Sequence, residues 1–550
     1  MKAKNEDSTL KEITDRRSMI SRTGAIIATG LFASSSGSAQ AISRNDRNEN
    51  DVYDVKKYGA SGKRSDNATK AFRAAMEACA SSGGGIVDVP PGEYTIGTVQ
   101  LRSNVTLHVG AGATLFLSQS KDDFPHGKGP AMIFAENAEN IAVTGQGTLD
   151  GLAQYDYKEM TGIDPDIARE IEMATAAGED MRRYYRKRTA VNVFMFVIND
   201  CNNFLLSDVS IINSPLWTVR LNDCDLVHIS RVHIYSSLEK GVNADGIDVV
   251  SCSNVTISDS VIVTGDDSIV LKTISRDGKQ ANPCENITVT NCILTSSSTA
   301  LMIGTETEAP VRHVLFNNCV IRNSNKGFGI NVQDGGTVSE VVFSNLTIET
   351  NRRHWNWWGS AEMCKFLLMK RKASSKMGAI RNITIENIIA HVRGTSTIKG
   401  QGEQNLENIR MSNVQVFMYP ENTKDKRSTQ AMSIENVHEI SIRDLSVKWS
   451  QEQPEEKWES ALTLKNVSDF RIDSFSGRQG RLKSVSPAIL LDNVSDGIIR
   501  DSRATEGTTT FIRVEGAGTS DIELKNNNTR KAEKDILFSD EELKKGVHLD

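Results

Sequence analysis

Proline is scarce in this chain, 11 in 550 residues, and none of its eight cysteines sits in a C-x-x-C pair. The missing pairs make a zinc or dithiol redox centre an unattractive reading. No apolar run is long enough to span a membrane. No basic surplus exists either: 64 Lys and Arg stand against 70 Asp and Glu, a net charge of −6. That excludes an overall basic surface for nucleic acid, although local basic clusters remain. Plentiful glycine and asparagine with so little proline suit a fold with many tight turns.

What the chain has in abundance is a repeat. After about residue 50 a small unit recurs: a turn residue, alternating apolar residues, Asn or Asp, then apolar again. It reads "NNFLLSDVSI", "SNVTISDSVI", "ENITVTNCIL", "RHVLFNNCVI" and "RNITIENIIA", with corresponding positions about 24 to 32 residues apart. A period in that range signals a solenoid, which overrules any domain count taken from length. Two-residue alternation and β-branched side chains make each unit a set of short strands. A lone unit cannot bury its apolar face, whereas coils stacked about 4.8 Å apart close a continuous core. Asn at each corner suits a left-handed bend. The expected fold is all-β, a single-stranded right-handed parallel β-helix over residues 42–528.

Three segments stand apart from the repeat. Arg16 and Arg17 precede an uncharged stretch from Gly24 to Phe32 and a small-residue site ending at Ala41. Residues 1–41 therefore read as a signal peptide of twin-arginine type, implying an exported, periplasmic or extracellular protein. Residues 164–187 are charged and helix-favouring, an excursion between coils. Residues 529–550 read as a charged, solvated tail. "NATKAFRAAMEACASSGG" forms an amphipathic helix placed to cap the open end of the core. Cysteines in "TNC" and "NNC" fall at one repeated place and read as stacked, buried thiols.

One spacing carries chemistry. Asp245 and Asp266 lie 21 residues apart, close to one coil, so they can stack on one face; Asp267 follows directly. Adjacent strand residues point oppositely, and Gly265 is placed to permit the bend that would turn both toward one cleft. Three carboxylates in one groove repel, so at least one keeps its proton near neutral pH, the condition that glycosidic bond cleavage requires. The competing structural reading, aspartates capping coil corners, accounts well for Asp259 and extends to Asp248.

The block "NADGIDVVSCSNVTISDSVIVTGDDSIVLKT", Asn243 to Thr273, resembles the "NTDGID…GDD" block of family-28 glycoside hydrolases, the polygalacturonases. "YDVKKYGASG" and "GQGTLDG" resemble that family's N-terminal coils, a feature shared with other β-helix proteins. The resemblance runs over roughly residues 50 to 360. It implies Asp266 as general acid, Asp245 and Asp267 as the groups that activate water, no metal or other cofactor, and inversion of configuration. Inversion in turn implies an acid–base gap of about 6.5–9.5 Å. Asn243 and Asp248 join the expected substrate contacts.

The chain departs from the family one coil later. Where polygalacturonases carry "GHG.SIGS" this chain has "STALMIGTETE", with Thr299 at the histidine. Where they carry "RIK" it has "KGFGINVQ", with Gly329 and Asn331 at the two cations. Losing the clamp forfeits charge-assisted contacts worth about 1.5–3 kcal/mol each. Either the sugar at this subsite is neutral, with Asn331 reading hydroxyls, or other cations serve: Lys326, Arg312, Arg352, Arg353, His354 or Arg371. Alternatively, catalysis is lost and a binding groove remains, against which the retained aspartates argue. "HWNWWG" offers Trp355, Trp357 and Trp358 as faces for sugar rings. The leading expectation is a monomeric hydrolase of a pectin-like or other acidic polysaccharide or oligosaccharide. A lyase and a non-catalytic carbohydrate-binding β-helix are the alternatives on the same scaffold.

Overall fold

The structure is a computed structural model that describes residues 52–125, 130–155, 192–353, 359–402 and 405–549, with scattered positions between 157 and 187. The signal segment expected at 1–41, most of the 164–187 excursion, and His354, Trp355, Trp357 and Trp358 lie outside the described residues.

The chain from Asp51 onward is one unit, a right-handed parallel β-helix. Each coil contributes strands to three sheets. One turn runs Ile247–Val250, Ser253–Ser258 and Val261–Thr264 before Ile269–Thr273 starts the next. The described coil strands pair in parallel with their counterparts one coil away, as Ile247 with Ile269, Val255 with Ile287 and Ile262 with Leu294. Parallel ladders need both faces covered. Here the coil's interior covers one face, and alternation decides which residues enter. On the first sheet Ile247, Val249, Ile269, Leu271, Leu301, Ile303, Phe328, Ile330, Cys364 and Phe366 are buried inside. The residues between them point outward. Arg220, Asp248, Val270, Met302, Gly329 and Lys365 form one such outward column.

The corners behave as the repeat demands. Asn254, Asp259, Asn286 and Asn291 hold φ near +55°, where a short polar side chain replaces the backbone bonds lost at the bend. Their amides bond coil to coil: Asn286 Nδ2 donates to Asn254 Oδ1 at 3.1 Å, and Asn291 Nδ2 to Asp259 Oδ1 at 3.2 Å. Asp259 is thus a corner residue, as expected. Below many corners sit the thiols. All eight cysteines are buried and none is in a disulfide; Cys224 N–H points at Cys252 Sγ one coil on, at 3.3 Å.

The helix Thr69–Ser81 buries Ala71, Phe72, Ala75, Met76 and Cys79 against the first coils. It covers the apolar end that stacking would otherwise leave open. The far end corrects the sequence reading. Ala532–Phe538 and Val547–Leu549 are strands, paired with Thr508–Glu515 and Ser520–Lys525. Residues expected to form a solvated tail therefore complete the last coil. Their charges are exposed at the end of the stack, so composition alone resembles a tail. The 164–187 excursion is also not wholly helix-favouring: Tyr185–Lys187 pairs antiparallel with Tyr157–Glu159.

Candidate active site

The aspartates sit where the third sheet turns into the first. The strand Val261–Thr264 ends, Gly265 to Ser268 bend, and Ile269 begins the next strand. Gly265 is required by close approach: a Cβ there would lie 2.3 Å from the Gly241 carbonyl oxygen and 2.5 Å from that of Ser237. Ladder register places Asp245 on Asp267, since Ile247 pairs with Ile269 and Gly246 N–H donates to the Asp267 carbonyl. Asp266, expected to be the stacking partner, stands one residue earlier in the bend. The Asp266 carbonyl is fixed by the Thr264 and Ser296 hydroxyls, each at 2.7 Å. Asp267 N–H donates to Asp266 Oδ1 at 3.0 Å, and Thr299 N–H to Asp267 Oδ1 at 2.9 Å. Oδ1 of Asp245, buried, receives no donor among the described residues.

One carboxylate oxygen from each of the three lies within 4.8 Å of the others. The wide gap expected from inversion is absent, because stacking on neighbouring coils sets the spacing near one coil repeat. At that range three charges cannot coexist. Burial, then the charge of Asp267, pushes Asp266 up to about 7. Burial, then Asp266, raises Asp245 well above the usual carboxylate range. The same oxygens are close enough to hold a cation. Metal ligands must be deprotonated, however, and the proton affinity of Asp245 and Asp266 opposes that.

Lys272 is the residue that sequence reading missed. Its ammonium lies 3.3 Å from Asp248, 3.4 Å from Glu306 and 3.9 Å over the Trp217 ring. Burial alone would lower its pKa, but Asp248, Asp245 and Glu306 outweigh that and raise it. It therefore stays charged beside the aspartates and holds Asp266 below where burial would leave it. Counting outward from Ile269 places Lys272 on the groove face, so strand alternation contained the signal. Arg220 joins this flank, 5.0 Å from the Trp217 ring, with Nε donating to Asn222.

The predicted contacts divide. Asn243 is half-buried at the rim in a left-handed conformation, φ 59°. Asn331 is half-buried, its Oδ1 accepting from Gln333 at 3.0 Å. Lys326 reaches Thr299 Oγ1 at 3.3 Å and stacks one coil below it. Thr299 is itself buried, and its part is to hold Asp267 rather than sugar. Asp248 is fully buried beneath Lys272, an anchor that no substrate can touch. Arg352 is also no ligand: its side chain is 0 % exposed, 3.3 Å from Glu421 and 3.4 Å from Asp425. Those acids come some 70 residues later, which no local pattern reveals. Arg353 donates to the Asn323 carbonyl at 2.7 Å and is half-buried. Arg371 is engaged by Asp334 at 2.6 Å. Arg312 lies on the second sheet, paired with Glu285, and so not on the face of the aspartates.

Comparison with known proteins fits this geometry. A polygalacturonase of Malus domestica is 27% identical over 248 residues, covering 44% of this chain and 46% of that protein. An exo-poly-alpha-D-galacturonosidase of Dickeya chrysanthemi is 26% identical over 256 residues, 40% of this chain and 41% of that protein. The chain thus spans less than half the length of either relative. The family 28 exopolygalacturonase of Yersinia enterocolitica shares the fold, with a TM-score of 0.57 at 17% identity, covering 77% of this chain and 78% of that one. The family model for glycosyl hydrolases family 28 matches residues 79–439. That match takes in more than half of the chain and every coil carrying Asp245, Asp266 and Asp267, and by it this protein belongs to glycosyl hydrolases family 28.

Proposed function

We propose that the protein hydrolyses glycosidic bonds in a pectin-like or other acidic polysaccharide, or in oligosaccharides derived from one. Asp266 is the general acid. Its proton passes to the glycosidic oxygen as the bond to the anomeric carbon breaks. Water attacks that carbon from the other side and gives a proton to the Asp245–Asp267 pair. The observation that carries this reading is the raised pKa of Asp266, about 7, within a cluster whose oxygens lie inside 4.8 Å. A carboxyl so placed is still protonated near neutral pH. The donorless Oδ1 of Asp245 is free to accept a hydrogen bond from water. The relatives named for polygalacturonate point to a uronate-rich substrate.

A second reading rests on the same short spacing. Carboxylates this close also suit direct attack by Asp245 or Asp267, with retention of configuration. Proton NMR of the first-formed anomer separates the two: inversion supports water attack, retention a covalent intermediate. Reducing-end release from polygalacturonate, rhamnogalacturonan and neutral glycans, by wild type and Asp266→Asn together, tests the activity itself. Equal release by both would refute Asp266 as the acid. The Arg16-Arg17 leader adds that the enzyme is exported, and that it works as a monomer is part of the same proposal. Cell fractionation and light scattering test these.

A further inference from the structure

The missing clamp leaves a question of charge on the groove face, and the other cations there are already engaged. Lys272 is held between Asp248 and Glu306, Arg371 by Asp334, and Lys399 by Glu435 at 2.7 Å. Arg220 is turned onto Trp217 and Asn222, and Arg352 is sealed beneath Glu421 and Asp425. Lys365 differs. It stands between the buried Cys364 and Phe366, so its side chain points outward from the first sheet, half-buried. Among the described residues no ion pair or hydrogen bond engages it. Its register partner one coil nearer the aspartates is Gly329, so no side chain stands over it in that column.

Gly329 stands in a tight place on the same column. A Cβ there would lie 3.1 Å from Met302 Sδ and 3.5 Å from Lys326 Cδ. A longer side chain at 329 would crowd Met302 Sδ and the Lys365 carbonyl, each 3.1 Å from that Cβ, while the Lys326 stem is at ordinary contact distance. The one acid in register with Lys326 is Glu362. It is buried, and its Oε2 already accepts the Ser360 N–H. Lys365 is therefore the outward ammonium of this coil, with no carboxylate engaging it among the described residues. A uronate carboxylate is the anion that a sugar groove would bring there.

We propose that Lys365 is a substrate-binding residue that takes the carboxylate of a uronate unit, one coil beyond the position of the lost arginine. This rests on the cleft being a sugar groove and deepens that reading by specifying an anionic sugar about three coils, roughly 14 Å, along the axis from Asp267. The neutral-subsite alternative requires that Lys365 have no part in binding.

The test separates recognition from turnover. Binding of an oligogalacturonate and of its methyl ester is measured by calorimetry on Asp266→Asn, with and without Lys365→Gln, and with Lys365→Arg. The expected result is a loss of roughly tenfold or more in affinity for the acid form with Lys365→Gln. The ester should change less than twofold, and Lys365→Arg should restore most of the loss. Equal losses on acid and ester, no loss on either, or no binding of the acid form would overturn the proposal. Wild-type turnover is scored separately. Lys365-dependent binding without reducing-end release would leave this proposal standing and remove the hydrolase reading. Release indifferent to Lys365 would do the reverse. Unchanged thermal unfolding of each variant verifies that the coil is intact.

Discussion

Lys272 and Arg352 look alike on paper: each is a buried cation between two carboxylates. Around Arg352 the charges balance. Asp425 is also held by Arg427, the backbone N–H groups of Arg427 and Ser428 donate to Glu421, and Lys426 pairs with Glu455. Around Lys272 they do not. Five acids, Asp245, Asp248, Asp266, Asp267 and Glu306, act on it and its surroundings, against only Arg220 and Arg371 as further cations on that flank among the described residues. The surplus is resolved by protons, which is why Asp266 and Asp245 resist ionising. Burial of charge is common to a structural strap and an active site; uncompensated charge marks the latter.

Substitutions should pull the two clusters apart. The largest effect belongs to Asp266→Asn, which removes the acid and should lower kcat by about 10²–10⁴-fold. Its unfolding should stay near that of wild type, as read by steady-state kinetics and circular dichroism. Arg352→Ala should do the opposite. It leaves Glu421 and Asp425 buried without their cation, and should cost about 3–5 kcal/mol in denaturant unfolding with kcat/KM unchanged in the folded fraction. A comparable loss of activity per folded molecule would make Arg352 part of the site after all.

Two smaller effects sharpen the contrast through pH. Activity needs Asp266 protonated, so kcat/KM should fall as pH rises through about 7. The positive charge of Lys272 favours the ionised form of Asp266, so Lys272→Met should move that alkaline limb to higher pH, with a loss of activity of roughly tenfold. A limb that does not move would mean Lys272 only anchors Asp248. The smallest change is Arg312→Ala, an exposed pair with Glu285 on another sheet. It should cost less than about 1 kcal/mol and leave every kinetic parameter intact.

Some of the site was legible because it repeats or adjoins. Asp245, Asp266 and Asp267 could be grouped from a spacing of about one coil, and Gly265 marked the bend that brings them together. Lys272 was equally available from alternation and was overlooked inside a block read for its aspartates. Arg352, by contrast, was read as a ligand because an arginine beside tryptophans resembles one. Its partners come from a loop two coils later. Asp248 failed for a related reason: its outward position was predictable, but not that Lys272 would lie across it.

The sequence by itself determined the coil. Alternation, the 24- to 32-residue period and left-handed asparagines are local preferences repeated many times, and their agreement leaves few folds open. It also determined that three aspartates would meet. Only the tertiary structure decided which of them stack in register, that Asp267 rather than Asp266 sits over Asp245, and which cations are already engaged. Those outcomes depend on exact coil lengths and on loops folding back from distant residues. A one-residue shift in register exchanges neighbours, and no local preference records it.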